Sequence, residues 1–189
     1  MIKQRRFSSQ IGRVARVGLF SAATVAAGHL AFAQTTVTLP DTSQTTTLTA
    51  TVSDQAKVTI PAGVTFTVND VSISTAASGA SVTVANIVLA TASKQLRMSL
   101  QADAAAFTPP VGGAATWSAG DVTWNAASWT NASGTAGTLS NSAYNVVATC
   151  TADVQTCSTT GLTFTLAANT AVKRSGNHML VVRWKFESI

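Results

Sequence analysis

The sequence predicts an all-β fold, a single β-sandwich of roughly eight to ten antiparallel strands. Three observations carry that prediction. Apolar residues recur with a period of two, most clearly at Leu180, Val182, Trp184 and Phe186 against Val181, Arg183, Lys185 and Glu187. A period of two places the first set on one face of a strand and the second on the other. Turn-forming residues interrupt these runs at fairly even intervals, as in Pro61-Ala62-Gly63, Pro109-Pro110 and Gly112-Gly113. Finally, only 10% of the residues are charged and Thr, Ser, Ala and Val abound, a composition that favours strands over helices.

Taken in order, residues 34–49 are Thr-rich around Pro40-Asp41, and Val37 and Leu39 alternate only briefly. This stretch reads as a short first strand or a loose N-terminal arm. Leu48, Ala50 and Val52 then alternate with Thr49 and Thr51, and Val58-Thr59-Ile60 leads into the first turn. Val64, Phe66 and Val68 alternate with Thr65 and Thr67 and stop at Asn69-Asp70. Residues 81–90 are largely apolar, and a change of phase near Ala85-Asn86 predicts a bulge. Leu96, Met98, Leu100 and Ala102 form the cleanest half-buried strand of the first half. Ala119-Gly120-Asp121, between Trp117 and Trp124, is a candidate hairpin turn, and 131–137 reads as a polar loop. Tyr144, Val146, Ala148 and Cys150 alternate, as do Leu162, Phe164 and Leu166, and residues 170–177 turn into the final strand at 176–189. No internal repeat or linker marks a second domain.

Residues 1–33 read as a secretory signal peptide rather than as part of the fold. Lys3, Arg5, Arg6, Arg13 and Arg16 come first, an apolar stretch over 17–30 follows, and Ala31-Phe32-Ala33 supplies the small-residue cleavage site. The apolar stretch is too short and too rich in Ala and Gly to span a bilayer. Arg5-Arg6 leaves both the general and the twin-arginine export route open. Export places the mature domain, 34–189, in the periplasm, at the cell surface or outside the cell, with no membrane span of its own. It also dissolves the apparent basicity of the chain. Five of the twelve basic residues lie in the leader, and the remaining seven balance the seven acidic ones. No basic cluster survives to bind nucleic acid. In an oxidising compartment Cys150 and Cys157 are expected to form a disulfide, since a zinc site needs about four ligands and a redox pair is C-x-x-C.

Little in the mature sequence suggests chemistry. Nucleophilic catalysis usually calls for a histidine base, and the domain has only His178, in the turn before the last strand. No G-x-S-x-G elbow is present. Asp41, Asp54, Asp70, Asp103, Asp121, Asp153 and Glu187 are scattered, mostly at turns, where Asp is favoured for backbone reasons, and none falls in a calcium-loop pattern. The expectation is a protein without enzymatic activity, metal or cofactor. Trp117, Trp124 and Trp129 have two readings. As an exposed platform they would stack on sugar rings and make the domain a carbohydrate-binding module; as core residues they would fill the sandwich, the commoner fate of a large aromatic.

Gly176 followed by Leu180, Val182, Trp184 and Phe186 resembles the terminal strand of chaperone–usher pilins and of spore coat U-type secreted domains of bacteria. The resemblance covers the last strand alone. It implies an incomplete immunoglobulin-like sandwich, completed by an extended segment from a neighbouring subunit. On that reading the five residues form the assembly strand and residues 34–49 are a donor arm. The function expected from the sequence is a non-enzymatic, exported structural protein of a surface, fibre or matrix that associates with itself or with other envelope proteins. Glycan binding through the tryptophans is the alternative.

Overall fold

The computed structural model describes residues 36–189; the expected signal peptide and the Arg5-Arg6 pair lie outside the described residues. The chain divides into two units, Met1–Leu48 and Thr49–Ile189. The described residues of the first contain no strand. Its local order comes from Asp41, whose carboxylate accepts hydrogen bonds from the Ser43 amide and hydroxyl and from the Gln44 side chain.

The second unit is all-β, with no α-helix and eleven short strands in three antiparallel sheets. The first sheet joins β1 (Gln55–Thr59), β3 (Ala80–Val88) and β9 (Cys157–Leu162) in the order β1-β3-β9. The second joins β2 (Thr75–Ala76), β10 (Phe164–Leu166), β5 (Val122–Trp124) and β7 (Gly137–Thr138) in the order β2-β10-β5-β7. The third runs β11-β4-β8-β6, from β11 (Val182–Ser188) through β4 (Leu96–Ala102) and β8 (Asn145–Cys150) to β6 (Ala132–Gly134).

One hydrophobic core serves all three sheets. Val82 and Val84 from β3, Met98 and Leu100 from β4, Val147 from β8 and Leu162 from β9 are fully buried within it. The alternation in β3 delivers Ala80, Val82 and Val84 inward and Ser81 and Thr83 outward. The expected bulge is present: Asn86 adopts φ +52°, and between its pairings with Gln55 and Lys57 β3 carries one more residue than β1. A second bulge in β8 lets the consecutive residues Val147 and Ala148 both reach the core.

Several expectations are corrected. Leu48–Val52 and Val64–Val68 alternate in sequence, but neither lies in a strand. The final strand begins at Val182 rather than at Gly176. Trp117 and Trp124 do not face each other across a hairpin. Ser118 bridges Ala106, and Ala119–Asp121 form a 3-10 turn with reciprocal capping, in which the Asp121 carboxylate accepts from the Ser118 amide and hydroxyl. The polar loop at 131–137 contains β6 and the start of β7.

Cys150 and Cys157 are joined as a disulfide, with Cα atoms 5.9 Å apart and both residues 1% exposed. Cys150 ends β8 in the third sheet and Cys157 opens β9 in the first, so the bond ties two sheets at the rim of the core. Closing so short a loop is worth about 2–3 kcal/mol in the chain-entropy model. Replacing both cysteines by alanine should lower the unfolding free energy by about that amount in urea titration. A change near zero would show that the pairing of β8 with β4 and of β9 with β3 already fixes the loop.

Candidate functional site

The site is built around β11. Its seven residues pair with β4 in unbroken antiparallel register, from Val182 opposite Ala102 to Ser188 opposite Leu96. The backbones of Ile189 and Gln95 exchange both hydrogen bonds, at 2.9 and 3.1 Å, and the Asp103 amide donates to Val181 carbonyl oxygen at 3.0 Å. Those bonds set the phase of the ladder. Odd-numbered residues turn their amides and carbonyls toward β4, and Val182, Trp184, Phe186 and Ser188 turn theirs outward. β11 is the terminal strand of its sheet, so these outward groups form a free edge among the described residues.

The two faces of β11 differ. On the outer face Arg183 pairs with Asp103, and Glu187 receives Arg97 at 2.7 Å and Lys185 at 2.6 Å. Lys185 also lies 5.7 Å from the centre of the Tyr144 ring. On the inner face Val182, Trp184 and Phe186 are only half-buried, with Leu180 continuing the row. The Trp184 and Phe186 rings stack at 6.1 Å. A strand face whose apolar residues touch the core without being covered is open on one side.

Across from this row runs Val64–Val68. Val64, Phe66 and Val68 are half-buried and Thr65 and Thr67 exposed, which accounts for the alternation in a segment that no strand pairs with. Between the two rows lies an open groove of about 980 Å³. Its floor is apolar and includes Leu100, Phe107, Trp117, Leu139, Phe164 and Leu166. The titratable residues lining it are Lys173, Arg174 and His178; no carboxylate does.

The near end of the groove is fixed by a turn. Gly176 has φ +128° and lies against Pro110; a Cβ there would stand 2.8 Å from Pro110 Cβ. Only glycine adopts that conformation without strain. His178 then folds the turn together. Its Nε2 lies 3.2 Å from the Arg174 carbonyl oxygen and its Nδ1 2.7 Å from Thr116 Oγ1. A carbonyl only accepts, so in the neutral ring Nε2 carries the proton and Nδ1 accepts from the threonine hydroxyl. The ring stands edge-on to Trp117 at 5.2 Å. His178 is thus a positioning residue of the turn, tied on one side to the Arg174 carbonyl and on the other to Thr116.

Trp117 and Trp124 are 5% and 3% exposed, and their indole N–H groups donate to the carbonyl oxygens of Ala167 and Thr135. Neither forms an exposed platform: both fill the core, and each polar edge has a backbone partner. Gly137 makes room for the Trp124 ring, since a Cβ there would stand 2.5 Å from Cζ2. Trp129 is half-buried and packs against the core. Sequence reasoning missed Val64, Phe66 and Val68 as a wall of the site, and also the basic residues at its end. Their signal was present as alternation and as the Lys173-Arg174 pair, but nothing local said that both border one groove.

Among the described residues no group of three or more His, Cys, Asp or Glu side chains converges on one point, and no helix is long and apolar enough to cross a membrane. The chain matches no family model, no curated protein and no solved structure.

Two measurements probe this site. Gly176→Ala should destabilise the fold by about 1–3 kcal/mol in urea titration, because it adds backbone strain and a clash with Pro110; an unchanged midpoint would show that the turn relaxes freely. Glu187 is held below its ordinary value of 4.5 by hydrogen bonds first from Lys185 and then from Arg97. Its contribution to stability is therefore complete above that value and is lost as pH falls through the lower folded-state value. Glu187→Gln should flatten part of the acid limb of a stability-against-pH profile, whereas an identical acid limb would mean that the carboxylate has no linked role.

Proposed function

We propose that this chain is a non-enzymatic, exported structural subunit: an incomplete immunoglobulin-like sandwich that assembles with other copies by adding an extended segment along β11. The single observation that carries the reading is the apolar groove of about 980 Å³ beside the outward-facing edge of that strand. The edge offers backbone donors and acceptors, and the groove offers apolar walls at the two-residue period of a strand. This is the chemistry of strand addition, in which main-chain hydrogen bonds supply affinity and alternate side chains supply specificity. Sparse charge suits a surface that is covered in an assembly, and the buried disulfide suits an oxidising compartment. The resemblance of Gly176, Leu180, Val182, Trp184 and Phe186 to the terminal strand of pilins and spore coat U-type domains points the same way.

The test is a proline at Val182. Its amide faces away from β4, so Val182→Pro removes a donor from the free edge and leaves the β4 ladder intact. Light scattering of the parent protein at several concentrations, without reductant, should show large or concentration-dependent species. The proline variant should remain monomeric with an unchanged circular dichroism spectrum. A parent protein that is monomeric throughout would overturn the reading. So would a folded proline variant that assembles like the parent.

A further inference from the structure

Resting on that assembly reading, we propose that the segment added to the groove is Leu48–Asp54 of a second copy, and that its direction is antiparallel to β11 because Asp54 meets Arg174 and Lys173. The segment reads L-T-A-T-V-S-D, so Leu48, Ala50, Val52 and Asp54 share one face when it is extended. Leu48 is 91% exposed and Val52 68%, and no strand among the described residues includes either. A row of alternating apolar residues in open water lacks the partner that its pattern fits.

The groove has the complementary pattern. Leu180, Val182 and Trp184 present the same spacing, and the backbones of Val182 and Trp184 face outward. Set antiparallel, Leu48 lies opposite Trp184, Ala50 opposite Val182 and Val52 opposite Leu180. Asp54 then falls at His178, whose ring lies against the Arg174 carbonyl and which lines the groove together with Lys173 and Arg174. Set parallel, with Leu48 opposite Leu180, Asp54 would fall at Phe186 and next to Glu187. The two settings move the carboxylate by eight residues along the strand, about 26 Å at 3.3 Å per residue.

Charge decides between the two directions. Among the described residues Lys173 and Arg174 form no ion pair, while Arg97, Lys185 and Arg183 are matched with Glu187 or Asp103. Asp41, Asp70 and Asp121 are held by neighbouring hydroxyl or amide groups. Among the described residues no carboxylate pairs with the two cations at the groove's end, and no cation pairs with Asp54. The one strand face that carries the apolar row thus also carries a carboxylate, at the end that meets the cations. Complementary rim charges fix orientation and register more than they add affinity.

Cysteine pairing reads the direction directly, because the protein has no free thiol. The Val52→Cys/Leu180→Cys variant should form an intermolecular ladder on a non-reducing gel, and Val52→Cys/Trp184→Cys should not. Reversed yields would establish parallel addition and overturn the proposal. Asp54→Lys, or Lys173→Glu with Arg174→Glu, should each raise the concentration needed for assembly by about tenfold, and the triple variant should restore it. Parent-like assembly of both charge variants would also overturn it. Two further outcomes separate this proposal from the reading beneath it. If removal of residues 36–45 abolishes assembly and neither cysteine pair forms, the donor is the earlier arm, and strand addition stands while Leu48–Asp54 falls. If the parent protein does not assemble at all, both fall.

Discussion

The ladder between β11 and β4 is the constraint on which the rest depends. It is pinned at one end by the double exchange between Gln95 and Ile189 and at the other by the Asp103 amide on Val181. Because side chains and backbone groups both alternate along a strand, fixing the phase fixes three things together. The charged residues Arg183, Lys185 and Glu187 go outward to their partners, the row Val182, Trp184 and Phe186 goes to the core side, and that same row turns its amides and carbonyls to the free edge. A slip of one residue would bury three charges and expose the aromatic pair. The ion pairs guard the register as well as adding the small energy typical of exposed bridges.

The opposite rim is held covalently. The disulfide ties β8 to β9, and the fully buried side chains cluster on β3, β4, β8 and β9. Burial falls off toward β11 and toward Val64–Val68, where residues that should complete the core are half-exposed. The core is therefore asymmetric: closed at the disulfide side and open along the groove. A domain of this size ordinarily buries about two-thirds of its unfolded surface, and the open groove of about 980 Å³ leaves apolar floor residues of this unit uncovered on one side.

Much of the strand content was legible in the sequence, because alternation reports half-burial directly. Leu96–Ala102 and the run from Val182 onward illustrate this, as does the bulge at Asn86. What alternation does not report is pairing. Val64–Val68 alternates as cleanly as β4 but has no strand partner, since its pattern comes from lying along the edge of a core. The stretch between Trp117 and Trp124 misled for another reason: reciprocal capping of Ser118 and Asp121 makes a 3-10 turn there, and the strand bond goes to Ala106. The site was half legible. Gly176, Leu180, Val182, Trp184 and Phe186 can be read from one short stretch of sequence, whereas the opposite wall lies more than a hundred residues away in the chain and borders the groove only through the fold.

A free strand edge flanked by uncovered apolar side chains is a liability in water, and proteins usually blunt such edges with charge, proline, a bulge or a covering loop. β11 has its charges, but the phase of the ladder places them on the outer face, where they do not guard the inner edge. Among the described residues it contains no proline and pairs with β4 without a bulge. Among the described residues Lys173 and Arg174 are the Lys and Arg side chains lining the groove, and they precede the apolar row in the chain. Charge placed there leaves the length of the edge unguarded. That distribution is what an edge requires if its covering comes from another chain: unprotected along its length and marked at one end.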